Sequence, residues 1–161
     1  QEELTRAKEQ QLERVITIFP WIATIDKFQH WVYENPGHTL IERAQKWTEI
    51  QNEFTSKEID VSGLDEIRSY TWQKQLHLYE VPFYYIEYGI AQLGAIGLWQ
   101  QYKNNKEQAI INYISALSAG GTQTLPRLFN LAGLKFDFSP ENISGLMKFV
   151  KQEMDALRNN P

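Results

Sequence analysis

The chain contains no cysteine. Disulfides and thiolate metal sites are therefore excluded, and the absence fits a reducing compartment, expected to be the cytoplasm. Basic residues are outnumbered: 16 Lys and Arg stand against 20 Asp and Glu, a net charge of −4 at pH 7. Phosphate binding calls for a basic face, so a nucleic-acid partner is not expected. Only three histidines occur, at positions 30, 38 and 77, and none belongs to an H-E-x-x-H or another close ligand pair. A glycine-rich phosphate loop is missing as well, and no Ser-His-Asp or Cys-His order can be argued from the residues. Long hydrophobic runs are also absent. The strongest, FYYIEYGIAQLGAIGLW, has 17 residues and carries Glu87 and Gln92. About 20 apolar residues are needed to span a bilayer, so this stretch is expected to be a buried helix and no membrane partner is expected.

What is present is an ordinary globular balance with an unusual aromatic content. Of 161 residues, 42% are hydrophobic and 22% charged, enough for one domain with a real core. Aromatics reach 13%, with five Trp and eight Tyr. The opening QEELTRAKEQQLERV is charged, already helical in pattern and unlike a signal peptide, and it starts without Met. A piece of a longer protein is the expectation.

Strand-like alternation is nearly missing, while helical spacing recurs throughout. Leu12, Val15, Ile16 and Phe19 form one stripe, which Trp21, Ile22, Ile25, Phe28 and Val32 continue beyond Pro20. That proline predicts a kink or a fresh helix start. Asn35 to His38 reads as a turn, with His38 solvated, and Thr39 with Glu42 has capping-box spacing before LIERAQKWTEIQNEF. Residues 57–71 look loop-like, with a short helix at LDEIRSY. Pro82 is expected to open a helix running toward Tyr102, which Asn104 and Asn105 end. Lys106 to Ala119 is amphipathic, with Ile110, Ile111, Ile114 and Leu117 expected to face inward and Gly120-Gly121 as the stop. Thr124 is placed as the cap of LPRLFNLAG, and Ser139-Pro140 opens a last helix to about residue 158. The fold class is all-α, one multi-helix domain of about six or seven helices over residues 1–161.

One stretch, HLYEVPFYYIEYGIAQ (77–92), gathers an imidazole and four phenols. If helical periodicity reaches back across Pro82, His77, Tyr84 and Tyr88 share a face. Offsets of 7 and 11 residues correspond to about −20° and +20° at ~100° per residue. Tyr85 lies about 80° away and shares an i,i+3 edge with Tyr88. Such neutral donors suit a carbonyl or a developing oxyanion in a dry cleft. The alternative is that these tyrosines are core aromatics with one satisfied hydroxyl each. His30, in FQHW, reads as a packed helix residue rather than a ligand. Glu87 faces elsewhere, as a buried anchor or an exposed residue. Gly89, Gly94 and Gly97 are poor helix formers, and with the small Ala95 their use is close helix approach. Trp31, Trp47, Trp72 and Trp99 read as core or helix-contact residues.

The segment WQKQLHLYEVPFYYIEYGIAQLGA resembles oligoendopeptidase F and its relatives, the thimet-oligopeptidase-like zinc metallopeptidases. FQHWVYENPGHTLIER upstream and YISALSAGGTQTLPRLFNLAGLKFDFS downstream resemble the same subfamily in the same order. The resemblance covers nearly the whole chain. It implies the C-terminal helical part of an all-helical, channel-forming peptidase acting on short peptides. In that family, zinc is held by the two His of H-E-x-x-H and a Glu on the following helix, with the motif Glu as general base. Those positions are absent from residues 1–161 and would lie N-terminal to Gln1, so zinc is expected in the full-length enzyme and not at a catalytic site in this piece. An upstream H-E-x-x-H with a Glu roughly 20–30 residues later would complete the site.

The resemblance implies that His77 and Tyr88 are catalytic, opposite the zinc, and that Tyr84 or Tyr85 binds substrate. The thimet-type pattern points to Tyr85; the oligoendopeptidase pattern and the helical face favour Tyr84. His30 receives no role. On this reading the piece alone is inactive, and a dimer through surface exposed by truncation is expected. A non-catalytic helical interaction module that kept the fold is the alternative function.

Overall fold

A computed structural model of the protein describes residues 2–159. Among the described residues there are eight α-helices, six of them seven residues or longer, and no strand. The helices are α1 (Glu2–Glu34), α2 (Leu40–Phe54), α3 (Asp65–Arg68), α4 (His77–Glu80), α5 (Ile86–Asn104), α6 (Lys106–Ala119), α7 (Leu125–Leu131) and α8 (Pro140–Asn159). Single 3₁₀ turns occupy Thr71–Lys74 and Gly120–Thr122. The fold is all-α. Its contacts group the described chain into two compact units, residues 17–89 and residues 2–16 with 90–159.

The 17–89 unit is built on an aromatic core. Ile25, Phe28, Trp47, Ile50 and Trp72 are buried together, and Trp21, Trp31, Val32, Phe54, Leu78 and Tyr85 pack against them. Trp47 meets Trp21 and Phe28 edge-on, at centroid distances of 5.8 and 5.0 Å. Its indole N–H is satisfied by the Arg68 carbonyl at 2.9 Å and the Thr71 hydroxyl at 3.0 Å. A buried Trp needs such a partner. The buried Arg68 is itself held by the Asn52 side-chain oxygen at 2.8 Å.

Pro20 does not start a new helix, because α1 runs through it. The ring sits on the exposed side of the helix. The buried stripe Ile22, Ile25 and Phe28 outweighs the single backbone bond a proline removes. Downstream, Thr39 caps α2 through the expected box: its hydroxyl accepts from the Glu42 amide, and the Glu42 carboxylate accepts from the Thr39 amide. The Thr39 amide first, and then the Thr39 hydroxyl at 2.8 Å, donate to that carboxylate and hold it below its ordinary pKa.

In the unit formed by residues 2–16 and 90–159, α5, α6, α7 and α8 bury Leu93, Ile96, Ala109, Ala132, Leu146 and Val150. Trp99 meets Phe149 edge-on at 4.7 Å. Close approach is achieved at small residues: a Cβ on Gly94 would lie 3.0 Å from the Phe129 ring, and one on Gly97 2.9 Å from Leu134 Cδ2. Asn105 separates α5 from α6 and caps the latter, its side chain accepting from the Gln108 amide. Ser139 likewise accepts from the Asn142 amide at the start of α8. Thr124 takes the extended cap position of α7 without a side-chain cap bond. Gly133 stops α7 at φ +72°. One expectation fails here. Ile110, Ile111, Ile114 and Leu117 do not face inward on α6; they are exposed, Leu117 at 60%. The buried position on that helix is Ala109, since a small side chain lets the helix come in close and leaves the larger residues outside.

Candidate active site

The site lies in the 17–89 unit, between the single turn α4 and the first turn of α5. The expected helix from Pro82 does not form. Phe83 takes a left-handed conformation at φ +61°, and α5 begins only at Ile86. The cause is a buried amide that sequence reading passed over. Gln29, 2% exposed in the aromatic stretch of α1, accepts from the Phe83 amide at 2.9 Å and donates to the Leu78 carbonyl at 3.4 Å. Both ends of one side chain thus hold the connection between α4 and α5 in a turn. A bulky residue at positive φ carries a strain of order 1–2 kcal/mol, tolerated only where surrounding contacts over-determine it. Here the Phe83 ring also packs on His30 and Tyr33, each at 4.9 Å.

That turn brings together the residues a continuous helix was expected to align. The His77 ring lies 5.0 Å from Tyr85, 5.6 Å from Tyr88 and, nearly parallel, 6.3 Å from Tyr84. Tyr88 meets Tyr84 and Tyr85 edge-on at 5.7 and 5.2 Å. Within the cluster of rings, His77 Nε2 and the Tyr88 hydroxyl lie 3.1 Å apart. The other imidazole nitrogen, Nδ1, lies 2.7 Å from the Gln75 amide nitrogen, and the Gln75 oxygen accepts from the Trp21 indole at 3.2 Å. The sequence marks Trp21 only as part of the apolar stripe of the first helix, and Gln75 not at all. Nothing in composition or spacing marks a polar side chain that reaches a neighbour two positions on.

Exposure sorts the phenols. Tyr84 and Tyr88 are 49% and 44% exposed, whereas Tyr85 is half-buried against the core. Burial pushes the Tyr85 phenol up, the Trp21 indole beside it acts in the opposite sense, and Tyr88 adds a smaller upward effect. Glu87 is exposed. His30 is not part of the cluster; it is exposed, 3.7 Å from Asp26. Burial raises the Asp26 carboxyl, partly offset by that histidine. His38 is half-buried rather than solvated, receiving a bond from Arg43 at 2.6 Å and lying against Trp31.

Chemically, the cluster is an imidazole and two solvent-facing phenols at a surface, a source of neutral hydrogen bonds for an electron-rich oxygen. Among the described residues no three His, Asp or Glu side chains gather where they could hold a metal ion. No helix among them is long and apolar enough to cross a membrane.

Comparison with known proteins gives the cluster a context. The sequence matches the family model described as peptidase family M3 over residues 1–146. No curated protein matches it. Among solved structures, an X-ray structure of a protein assigned as oligoendopeptidase F is similar at a TM-score of 0.83 and 29% identity, over 96% of this chain and 27% of that one. A structure of PZ peptidase A with an inhibitor is similar at a TM-score of 0.83 and 29% identity, over 92% of this chain and 26% of that one. The chain spans about a quarter of the length of these solved structures.

Proposed function

Since this chain belongs to peptidase family M3, we propose that it supplies the hydrogen-bonding wall of a zinc-dependent oligoendopeptidase that cleaves short peptides. The observation that carries the reading is the 3.1 Å contact between His77 Nε2 and the Tyr88 hydroxyl, in a cluster whose outer phenols face solvent. Tyr88 donates to the carbonyl oxygen of the scissile peptide as it gains negative charge, and His77 holds the phenol in place. A donor preset at the position where charge develops stabilises the transition state more than the ground state. Tyr84, exposed and parallel to the imidazole, contacts the substrate. Tyr85, packed against the core, buttresses His77 and Tyr88 rather than touching the peptide.

Among the described residues the donor set does not fit a catalytic zinc, because His30, His38 and His77 do not gather with further His, Asp or Glu into a group of three. The proposal therefore assigns the metal, and the water it would activate, to residues outside this chain. Hydrolysis of a quenched fluorescent peptide by the 161-residue chain with added zinc tests this division. No turnover above background is expected. Turnover that persists through purification and disappears in His77→Ala would mean that the chain is a complete catalyst.

A further inference from the structure

Resting on the donor role proposed for Tyr88, we infer that Gln75, oriented by Trp21, is a positioning residue that fixes the tautomer of His77 and so frees the Tyr88 hydroxyl to donate to substrate. An imidazole in its neutral form carries one N–H and one acceptor nitrogen, and its neighbours decide which is which. The decision starts at Trp21, whose indole nitrogen can only donate. It lies 3.2 Å from the Gln75 side chain, so the atom facing it must be the amide oxygen. The opposite orientation would set N–H against N–H. With its oxygen held there, Gln75 presents its NH₂ to His77 Nδ1 at 2.7 Å. Nδ1 must accept, and the single imidazole proton resides on Nε2. That proton points at the Tyr88 oxygen 3.1 Å away.

The consequence falls on the phenol. Were the tautomer reversed, Nε2 would be an acceptor and the Tyr88 O–H would be spent on it. With Nε2–H donating, the phenolic oxygen is the acceptor and its hydrogen must point away from the imidazole. Tyr88 is 44% exposed, so that direction includes open surface. Accepting one hydrogen bond also polarises the hydroxyl toward giving a stronger one. The chain Trp21 → Gln75 → His77 → Tyr88 therefore runs in one direction, from a buttress at the aromatic core to the outer phenol.

Gln75→Glu tests the direction of that chain with almost no change of shape. An ionised carboxylate only accepts. It satisfies the Trp21 indole with one oxygen and demands a proton from His77 Nδ1 with the other. In the full 161-residue chain labelled with ¹⁵N-histidine, the pattern of couplings between ring nitrogens and ring carbon protons tells the two tautomers apart. His77 is assigned by the signal lost in His77→Gln, and spectra are compared where the imidazole is neutral. We expect Nε2–H in the wild type and Nδ1–H in Gln75→Glu, with helical circular dichroism unchanged. Trp21→Phe, which removes the donor that orients the amide, should give a mixture of both tautomers. Wild type in the Nδ1–H form, or Gln75→Glu retaining Nε2–H, overturns the inference.

Kinetics of the longer peptidase separate this from the functional reading. Gln75→Glu should lower kcat by about 100- to 1,000-fold, as expected for one lost oxyanion donor, with KM little changed. Adding Tyr88→Phe should lower it no further, because both changes remove the same hydrogen bond. A tautomer that reverses while kcat stays unaltered would support the lock and overturn the donor role of Tyr88.

Discussion

A phenol is useful to a developing oxyanion only while it keeps its proton, and the surroundings of Tyr85 set that limit for the inner member of the cluster. Its pKa is raised, first by burial. An unfolded phenol ionises near pH 10, and the folded Tyr85 must ionise above its own unfolded value. Any stability tied to the neutral phenol is therefore fully present below the unfolded pKa and is lost as pH climbs through the folded one. Urea midpoints should fall as pH rises beyond about 10. Tyr85→Phe should flatten that fall, and an unchanged slope would remove the phenol from the account. The same residues show what the sequence could convey. His77, Tyr84 and Tyr88 meet as the spacing predicts, but for another reason: no continuous helix joins them. Their proximity is set by Gln29 and Gln75, two amides whose partners lie on other segments or outside any periodic pattern. A polar side chain chosen for a tertiary contact leaves no rhythm in the sequence. Tyr84 and Tyr85 also differ in burial, the one exposed and the other packed against the core, a difference their adjacent positions do not signal.

Among the elements, the helices with local signals were legible and the ones shaped by tertiary bonds were not. Thr39 and Glu42 announce α2 because a capping box closes within four residues. Thr39→Ala should cost about 0.5–2 kcal/mol in urea unfolding, the ordinary range for a lost N-cap. A smaller loss would mean that Glu42 alone carries the cap. The start of α5 was misplaced at Pro82, a good first-turn residue locally, because Gln29 captures the next amide and holds Phe83 at positive φ. Gln29→Leu should leave the Phe83 N–H and the Leu78 carbonyl without that partner. An unsatisfied buried backbone group costs about 1–3 kcal/mol, and the turn between α4 and α5 should loosen first. Amide hydrogen exchange at residues 81–88 reports it: faster exchange confined to that turn is expected, and uniform protection would show that Gln29 does not hold it. Amphipathic spacing on α6 identified a helix correctly but misjudged its orientation. Ala109 is the buried contact there, and a pattern that weighs side chains by hydropathy favours the larger isoleucines.

At the scale of the whole molecule, an aromatic-rich, cysteine-free, mildly acidic chain forms an all-α structure belonging to peptidase family M3. Its length is about a quarter of the solved structures it resembles. The proposed function uses the cluster as a source of neutral hydrogen bonds. The account rests on Tyr88 acting when charge develops on the scissile carbonyl rather than when the peptide binds. Steady-state kinetics of Tyr88→Phe in the longer peptidase, on a quenched fluorescent peptide, test this most directly. The account predicts that kcat falls by about 100- to 1,000-fold with KM little changed. A raised KM with kcat preserved would contradict it, since Tyr88 would then only hold the substrate.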